Sequence, residues 1–146
     1  MRQSDMAITI HVDIVSAECS VYSGIAEMVV ATGELGEVGV VPGHAPLLTV
    51  LKPGEVRVTL PGGEQEIFYI SGGMLEVQPR IVTVLADTVE RADSLNEAEA
   101  QAAKARAEAM IANKDADLDY SMATAELARA VAQIRAIQKV RKIIKT

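Results

Sequence analysis

Glycine and proline are confined to the first 79 residues of this 146-residue chain. All ten glycines lie between Gly24 and Gly73, and all five prolines lie between Pro42 and Pro79. Because these residues are the strongest breaks in regular structure, the chain beyond Pro79 is free to form long helices. The sequence therefore predicts two domains, a turn-rich one over residues 1–92 and a helical one over residues 93–146.

The first domain shows the alternation of apolar and polar side chains that is typical of half-buried β-strands. The apolar positions include Ile8, Ile10, Val12 and Ile14 and, later, Val56, Val58 and Leu60. Residues 81–86 are apolar on both faces, which indicates a central strand. Turn signals such as Pro61-Gly62-Gly63, between two such runs, predict a hairpin. Many short strands between such turns predict an all-β sandwich or barrel.

The second domain begins with residues that favour helices. Ala, Glu, Gln, Lys and Arg dominate residues 95–113, and all five are strong helix formers. Asp93 or Ser94 is a candidate N-cap, and Glu97 would complete a capping box with Ser94. The sequence thus predicts a first helix with Asp93 or Ser94 as its N-cap.

A polar segment over residues 113–119 separates this helix from a second one, which is predicted from about Asp119 or Ser121 toward Ile144. Apolar residues recur there at spacings of three and four, in one stripe: Leu127, Val131, Ile134, Ile137, Val140 and Ile144. Two helices joined by a short turn predict an antiparallel two-helix hairpin.

Alanine dominates the hairpin, with fifteen alanines beyond residue 93. Burying one methyl group contributes about 0.8 kcal/mol, against about 1.5–3 kcal/mol for a leucine or isoleucine side chain. We therefore expect a hairpin that is strongly helical but weakly docked, as a conformational switch requires. The alternative is a stable hairpin that simply closes the domain.

Charge is divided between the body of the chain and its end. The formal net charge is −6, yet residues 129–146 hold six basic residues and no acidic one. The six are Arg129, Arg135, Lys139, Arg141, Lys142 and Lys145. Favourable cations at a helix C-terminus explain two or three of them. The remainder predict a partner surface rich in carboxylates.

The remaining composition excludes several classes of function. An acidic chain with 3% aromatic residues is unsuited to nucleic acid. The single Cys19 cannot form an internal disulfide, which favours a reducing compartment. Two histidines without ligand spacing predict no metal site, and His44 has no nucleophile in a recognisable motif beside it. No signal sequence or membrane-spanning run is recognised.

Several strings resemble the ε subunit of bacterial F-type ATP synthases. The most specific are Pro42-Gly-His-Ala-Pro-Leu-Leu-Thr49 and Ser71-Gly-Gly-Met-Leu-Glu-Val-Gln78, with Asp119-Tyr120 and Ala125-Glu-Leu-Ala128 in the helical part. The resemblance covers nearly the whole chain. It implies a sandwich of about ten strands followed by the hairpin, in a non-catalytic rotor subunit of the central stalk, peripheral at the cytoplasmic face of the bacterial cell membrane.

The resemblance also implies partners. The sandwich is expected to pack on the γ subunit and to meet the c-ring of this proton-translocating complex. Glu37, Val38 and Gly39 would lie in a c-ring-facing loop, with His44 nearby. The hairpin is expected to extend toward the α and β subunits and inhibit ATP hydrolysis. Its contacts with acidic residues of β would come from five residues: Arg135, Lys139, Arg141, Lys142 and Lys145.

One departure from the family pattern concerns ATP. Members that bind ATP carry Ile/Leu-Asp-x-x-Arg-Ala in the first helix, whereas this chain has Leu95-Asn96-Glu97-Ala98-Glu99-Ala100. Asn96 replaces the aspartate, and Glu99 replaces the arginine with a group that repels phosphate. We therefore expect weak or absent ATP binding and no cofactor.

Two other functions were weighed against the rotor subunit. The first is a stand-alone β-sandwich adaptor that dimerises through its helical hairpin. The second is a small hydrolase built around His44. Without the family resemblance, the residues alone support only an all-β domain with a mobile basic hairpin.

Overall fold

The computed structural model of the chain describes residues 8–113 and 120–144. Within these ranges nine strands precede two helices, and a 3-10 turn at Ala92–Ser94 lies between them. The strands are β1 (Ile10–Ser16), β2 (Ser20–Ala26), β3 (Met28–Gly33), β4 (Gly36–Val40), β5 (Leu47–Thr59), β6 (Gln65–Ile70), β7 (Gly73–Val77), β8 (Ile81–Ala86) and β9 (Val89–Arg91). The helices are α1 (Glu97–Ala112) and α2 (Tyr120–Ile144).

Strand β5 belongs to both layers of the β-sandwich. Its first half, residues 47–51, pairs with β7 in the layer ordered β2-β1-β8-β7-β5. Its second half, residues 54–59, pairs with β3 and β6 in the layer that β4 and β9 extend. The predicted sandwich is confirmed. Residues 8–113 hold nine strands where the resemblance implies about ten, and β5 runs unbroken through Lys52-Pro53-Gly54.

The core lies between the two layers and follows the predicted alternation. Strand β8 lies between β1, to which it is parallel, and β7, which confirms the prediction that it is central. The fully buried side chains come from both layers and include Val12, Ile14, Val56, Phe68, Leu75 and Val84. Burying each of these contributes about 1.5–3 kcal/mol, which makes the sandwich the stable part of the chain.

The turn between β5 and β6 is the one predicted from Pro61-Gly62-Gly63. Gly62 and Gly63 have φ values of +100° and +95°, a region that glycine adopts without steric cost. The Leu60 N–H donates to the Glu64 carbonyl at 2.7 Å and closes the turn. The predicted hairpin is therefore confirmed.

The first helix starts later than predicted. Asp93 and Ser94 belong to the 3-10 turn, and α1 begins at Glu97. The Asn96 side chain is the N-cap and accepts a hydrogen bond from the Glu99 N–H at 3.1 Å. The cap is displaced because Leu95 is extended and packs between the hairpin and the sandwich, which ends the 3-10 turn before the helix.

The second helix begins at Tyr120, as predicted, and uses two different faces. Ala132 and Ala136 pack on Ile67 and Tyr69 of β6. Ile134 and Ile137 pack instead against α1 at Ala100. The single predicted stripe is therefore divided, and Ile144 at its end is 77% exposed. The predicted turn at residues 114–119 lies outside the described residues.

Candidate functional site

The predicted basic residues of α2 lie on two different sides of the helix. Arg135, Lys139 and Lys142 line one cleft between α2 and the sandwich. Arg141 turns to the other side of the helix and pairs with Glu97 at the start of α1. This contact places the end of α2 beside the start of α1, as in an antiparallel pair. Lys145 lies outside the described residues.

The cleft has a volume of about 790 Å³ and an apolar floor with a charged rim. Leu127 and Val131 of α2 face the bend of β5 at Pro53 and Gly54. The charged residues on the rim are Glu37, Lys52, Glu55, Arg135, Lys139 and Lys142. The hairpin therefore rests on the sandwich across an incompletely filled and charged interface, which sequence reasoning did not predict.

Two ionisable groups of the sandwich lie under α2. Burial raises the pKa of Tyr69 to about 12, although Arg129 and Gln133 of α2 act in the opposite direction. Burial also raises the pKa of the Glu55 carboxyl, while Lys139 and Arg57 act in the opposite direction. A neutral tyrosine and a partly compensated glutamate are thus covered when the hairpin is docked.

The residues expected to meet the c-ring and γ lie in two places. Glu37, Val38 and Gly39 belong to strand β4 and pair with Thr32, Ala31 and Val30 of β3, so they form no loop. The pairing of β3 with β4 is unbroken from the Val29–Val40 pair to the Gly33–Gly36 pair, so all three residues lie within a continuous ladder. Glu37 lies 3.5 Å from Arg57 and on the rim of the α2 cleft.

His44 lies beyond the other end of β4, in the exposed loop before β5. The preceding Gly43 N–H donates to the Pro79 carbonyl, which ties this loop to the turn between β7 and β8. The His44 Nδ1 lies 2.6 Å from the carbonyl oxygen of Ala45. Among the described residues no serine or cysteine contacts His44, so the geometry gives no support to a hydrolase at this position.

A polar cluster on β1 and β2 was not predicted. His11 Nε2 lies 3.0 Å from Asp13 Oδ1, and the Ser23 hydroxyl donates to the same oxygen at 2.7 Å. The Ser23 hydrogen bond lowers the pKa of Asp13, against the effect of burial and with help from His11. A catalytic triad needs the serine and the aspartate on different nitrogens of the histidine. Here Ser23 and Asp13 contact the same nitrogen and each other, so the cluster links strands and activates no nucleophile.

An apolar row crosses the outer face of the sandwich. The strand register places Val15, Leu85, Met74 and Val50 side by side on β1, β8, β7 and β5. Leu85 and Val50 are each 46% exposed, and the nearby Leu48 is 65% exposed. The second apolar face predicted for residues 81–86 is thus real, but the described part of the chain leaves it uncovered. Such rows mark interaction surfaces.

Asn96 and Glu99 lie in a separate cleft, between the start of α1 and α2. Its other charged residues are Glu90 and Arg106. The Asn96 side-chain oxygen already accepts the Glu99 N–H as the helix cap. The charged groups of this cleft are thus two carboxylates and one guanidinium.

Residues 8–113 and 120–144 contain neither a membrane-spanning helix nor a metal-binding cluster. Neither helix in these ranges is long and apolar enough to cross a membrane. No group of three or more His, Cys, Asp or Glu side chains in them could hold a metal ion.

Solved structures with the same fold include rotary ATP synthase components. A chain of the Euglena gracilis mitochondrial ATP synthase OSCP/F1/c-ring assembly superposes with a TM-score of 0.81 at 19% identity, over 89% of this chain and 82% of that chain. A chain from the central stalk and c-ring of the Tetrahymena thermophila enzyme has a TM-score of 0.61 at 14% identity, over 88% of this chain and 96% of the other. At these identities the likeness shows the fold.

Sequence comparison identifies the family. The β-sandwich domain of the ATP synthase Delta/Epsilon chain matches residues 9–92, and the long alpha-helix domain of the same chain matches residues 93–138. ATP synthase epsilon chains of Legionella pneumophila strains Corby and Paris are each 71% identical over 140 residues, which span 96% of this chain and all of each relative. The chain therefore belongs to the ATP synthase delta/epsilon chain family.

Proposed function

We propose that the chain is the epsilon subunit of an F-type ATP synthase, in which it links γ to the c-ring and regulates hydrolysis through its C-terminal helices. As a member of this family it is a non-catalytic subunit of the complex. It is peripheral, held at the cytoplasmic face of the bacterial cell membrane by the other subunits. Family membership over the whole described chain favours this function over a stand-alone dimerising adaptor.

The rotor contacts are assigned to the sandwich. The apolar row of Val15, Leu85, Met74 and Val50 offers γ an exposed surface made of rigid strands. Glu37, Val38, Gly39 and His44 remain the residues proposed for the c-ring and γ contacts. They lie on the edge strand β4 and on the loop that follows it, where Glu37 and Gly39 are exposed, whereas Val38 packs partly against the core.

The observation that carries the regulatory proposal is the composition of the α2 interface. The buried residues of the helix in this contact are Ala132 and Ala136, whose burial contributes little free energy, and Val140 packs beside them only partly buried. The same helix carries the cations Arg135, Lys139, Arg141, Lys142 and Lys145, which are proposed to meet acidic residues of β. A weakly held basic helix can exchange the sandwich for an acidic partner.

Removal of residues 129–146 tests this proposal. We expect ATP hydrolysis by F1 reassembled with the shortened chain to rise several-fold, because the proposed inhibitory contacts are lost. Replacing Arg135, Lys139 and Lys142 together with alanine should raise hydrolysis in the same direction. Each exposed ion pair contributes about 0.2–1 kcal/mol, so three together change the inhibited population measurably. Steady-state hydrolysis and the amount of bound chain are measured on the same preparation.

The matched control replaces Lys104 and Arg106, two cations on α1, with alanine. This pair should leave hydrolysis unchanged, because neither residue belongs to the proposed inhibitory face. Unchanged hydrolysis after removal of residues 129–146, with the chain still bound, would contradict the regulatory proposal.

We further propose that ATP does not hold the hairpin down in this protein. The residues at the family's ATP position do not fit a triphosphate, since Glu99 and Glu90 bring negative charge and Asn96 serves as the helix cap. Isothermal titration of the isolated chain with ATP should show no binding in the micromolar range. The double variant Asn96→Asp with Glu99→Arg restores the family pattern and should bind ATP more tightly. Micromolar affinity of the unaltered chain would overturn this proposal.

A further inference from the structure

Glu55 is the one buried residue of the described part of the chain that carries a carboxylate or a cation. It lies on β5 at the bend where the strand passes from one layer to the other, and it is 9% exposed. Burying an ionised carboxylate is unfavourable unless cations and hydrogen bonds compensate the lost hydration. The contacts of Glu55 therefore decide whether it favours the structure around it.

Those contacts compensate the charge only in part. Lys139 Nζ lies 3.7 Å from Glu55 Oε1, and Arg57 Nε lies 3.8 Å from the same oxygen. Both distances exceed ordinary hydrogen-bond length. Glu55 Oε2 and Arg57 Nε have no hydrogen-bond partner at all. One carboxylate oxygen is thus buried without any donor.

Helix α2 contributes to this burial. Glu55 lines the cleft whose opposite wall is α2, and Lys139 is the cation that α2 brings to it. When α2 leaves the sandwich, water replaces the helix beside Glu55 and can satisfy both oxygens. The docked state therefore confines a charge that the released state hydrates.

We propose that Glu55 is a built-in release element, a buried carboxylate whose ionised form weakens the docking of α2 on the sandwich. Lys139 reduces this effect without cancelling it. Lys139 is also one of the cations proposed to contact the β subunit. Release therefore frees Lys139 from its incomplete pairing with Glu55 and makes it available to an acidic residue of β. The consequence for hydrolysis rests on the proposed function, whereas the docking effect concerns the isolated chain alone.

The direction of the pH dependence follows from the same geometry. Burial raises the pKa of Glu55 in the docked state, and this effect outweighs Lys139 and Arg57. Release replaces α2 by water beside Glu55 and returns the pKa of its carboxyl toward the ordinary value. Protonation of Glu55 on this proposal favours docking, and docking weakens as the pH rises through the raised pKa. The charged groups around it are Arg57, Glu37 and Lys52 on the sandwich and Arg135, Lys139 and Lys142 on α2.

Amide hydrogen exchange of the isolated full chain tests the proposal, since it detects rare opening of a docked helix. The substitutions are Glu55→Gln, which keeps the shape and removes the charge, and Glu55→Met, which also removes the polar atoms. Protection of α2 amides should rise about fivefold or more in Glu55→Met, the low end of what an unpartnered buried polar group costs, and should rise in the same direction in Glu55→Gln. Protection within β1 and β8 reports whether the sandwich stays folded.

Glu108→Gln on α1 is the matched control, because it removes an equally charged but exposed carboxylate. It should leave α2 protection unchanged. In the unaltered chain, α2 protection corrected for intrinsic exchange should fall between pH 4 and pH 7, and both Glu55 variants should lose this dependence. Equal or lower protection in both Glu55 variants, with an intact sandwich, would overturn the proposal.

Substitution of Lys139 distinguishes the proposal from the alternative that the Glu55–Lys139 ion pair stabilises the docked hairpin. Lys139→Ala should lower α2 protection in the unaltered background and have little effect in the Glu55→Gln background. A stabilising ion pair predicts instead that Glu55→Gln and Lys139→Ala each lower α2 protection. ATP hydrolysis by F1 that carries Glu55→Gln is measured separately. It should rise, because this variant favours the docked hairpin and the proposed inhibition comes from the released one. Raised α2 protection with unchanged hydrolysis would contradict the proposed function and leave the release element supported.

Discussion

Replacing Gly73 with alanine is expected to destabilise the β-sandwich by about 4 kcal/mol or more, in the exceptional range for one substitution. A Cβ atom at this position would lie 2.0 Å from the carbonyl oxygen of Leu85 and 2.8 Å from the Ala86 Cα. Both atoms belong to the backbone of the paired strand β8, so no side-chain rotation relieves the collision. Gly73 also has a φ of +145°, which side chains rarely adopt. Urea unfolding followed by circular dichroism measures the loss.

Gly36→Ala is the matched control for this prediction. Gly36 has a similar φ of +131°, but nothing lies within 4 Å of the Cβ that alanine would add. It should cost only about 1–2 kcal/mol, the strain of the backbone conformation alone. An equal loss of stability in the two variants would show that the collision with β8 is not the cause.

Replacing Ala136 with glutamate is expected to release the hairpin and leave the sandwich folded. Ala136 is fully buried, and its cluster consists of apolar and aromatic side chains, among them Ile67 and Tyr69. An unpaired buried charge costs several kcal/mol, so the docked population should fall by a factor of about 100 or more. In the released hairpin the same side chain reaches water and costs little.

Spin labels at Glu64 and Gln101, both exposed, report this release as a change of distance in a Cys19→Ser background. The docked distance should be lost in Ala136→Glu and retained in Ala125→Glu, which places the same charge on an exposed position of α2. In reassembled F1, Ala136→Glu should lower hydrolysis if release is inhibitory. A retained docked distance in Ala136→Glu would show that the alanine contact does not hold the helix.

Residue patterns predicted the architecture well where the physical cause is local. The strand alternation, the turn at Gly62-Gly63 and the helix-forming composition after residue 93 each depend on near neighbours. The helix start was wrong by two or three residues because Leu95 is held by tertiary packing, which moved the cap from Ser94 to Asn96. Glu37, Val38 and Gly39 were expected in a loop but pair with β3, a choice that depends on the partner strand.

The candidate site was predictable only in part. The basic residues of α2 could be found by counting charges, and three of them do line one cleft. Nothing in the sequence indicated that Glu55 would face Lys139, or that Ser23 would join His11 and Asp13. These contacts join elements distant in sequence, and their partners depend on how α2 packs on β5 and how β1 pairs with β2.

The sequence by itself determined that a β-rich part with glycine and proline turns precedes a helical part without either residue. Glycine, proline and side-chain periodicity act over a few residues, so their effects can be read without the fold. The sequence also determined that the helical end is basic, since charge is a property of the side chains alone. Only the tertiary structure decided that α2 rests on the sandwich through alanines and covers a carboxylate. The free energy of docking is the small difference between apolar contact and desolvated charge, and both quantities exist only once the two parts are packed together.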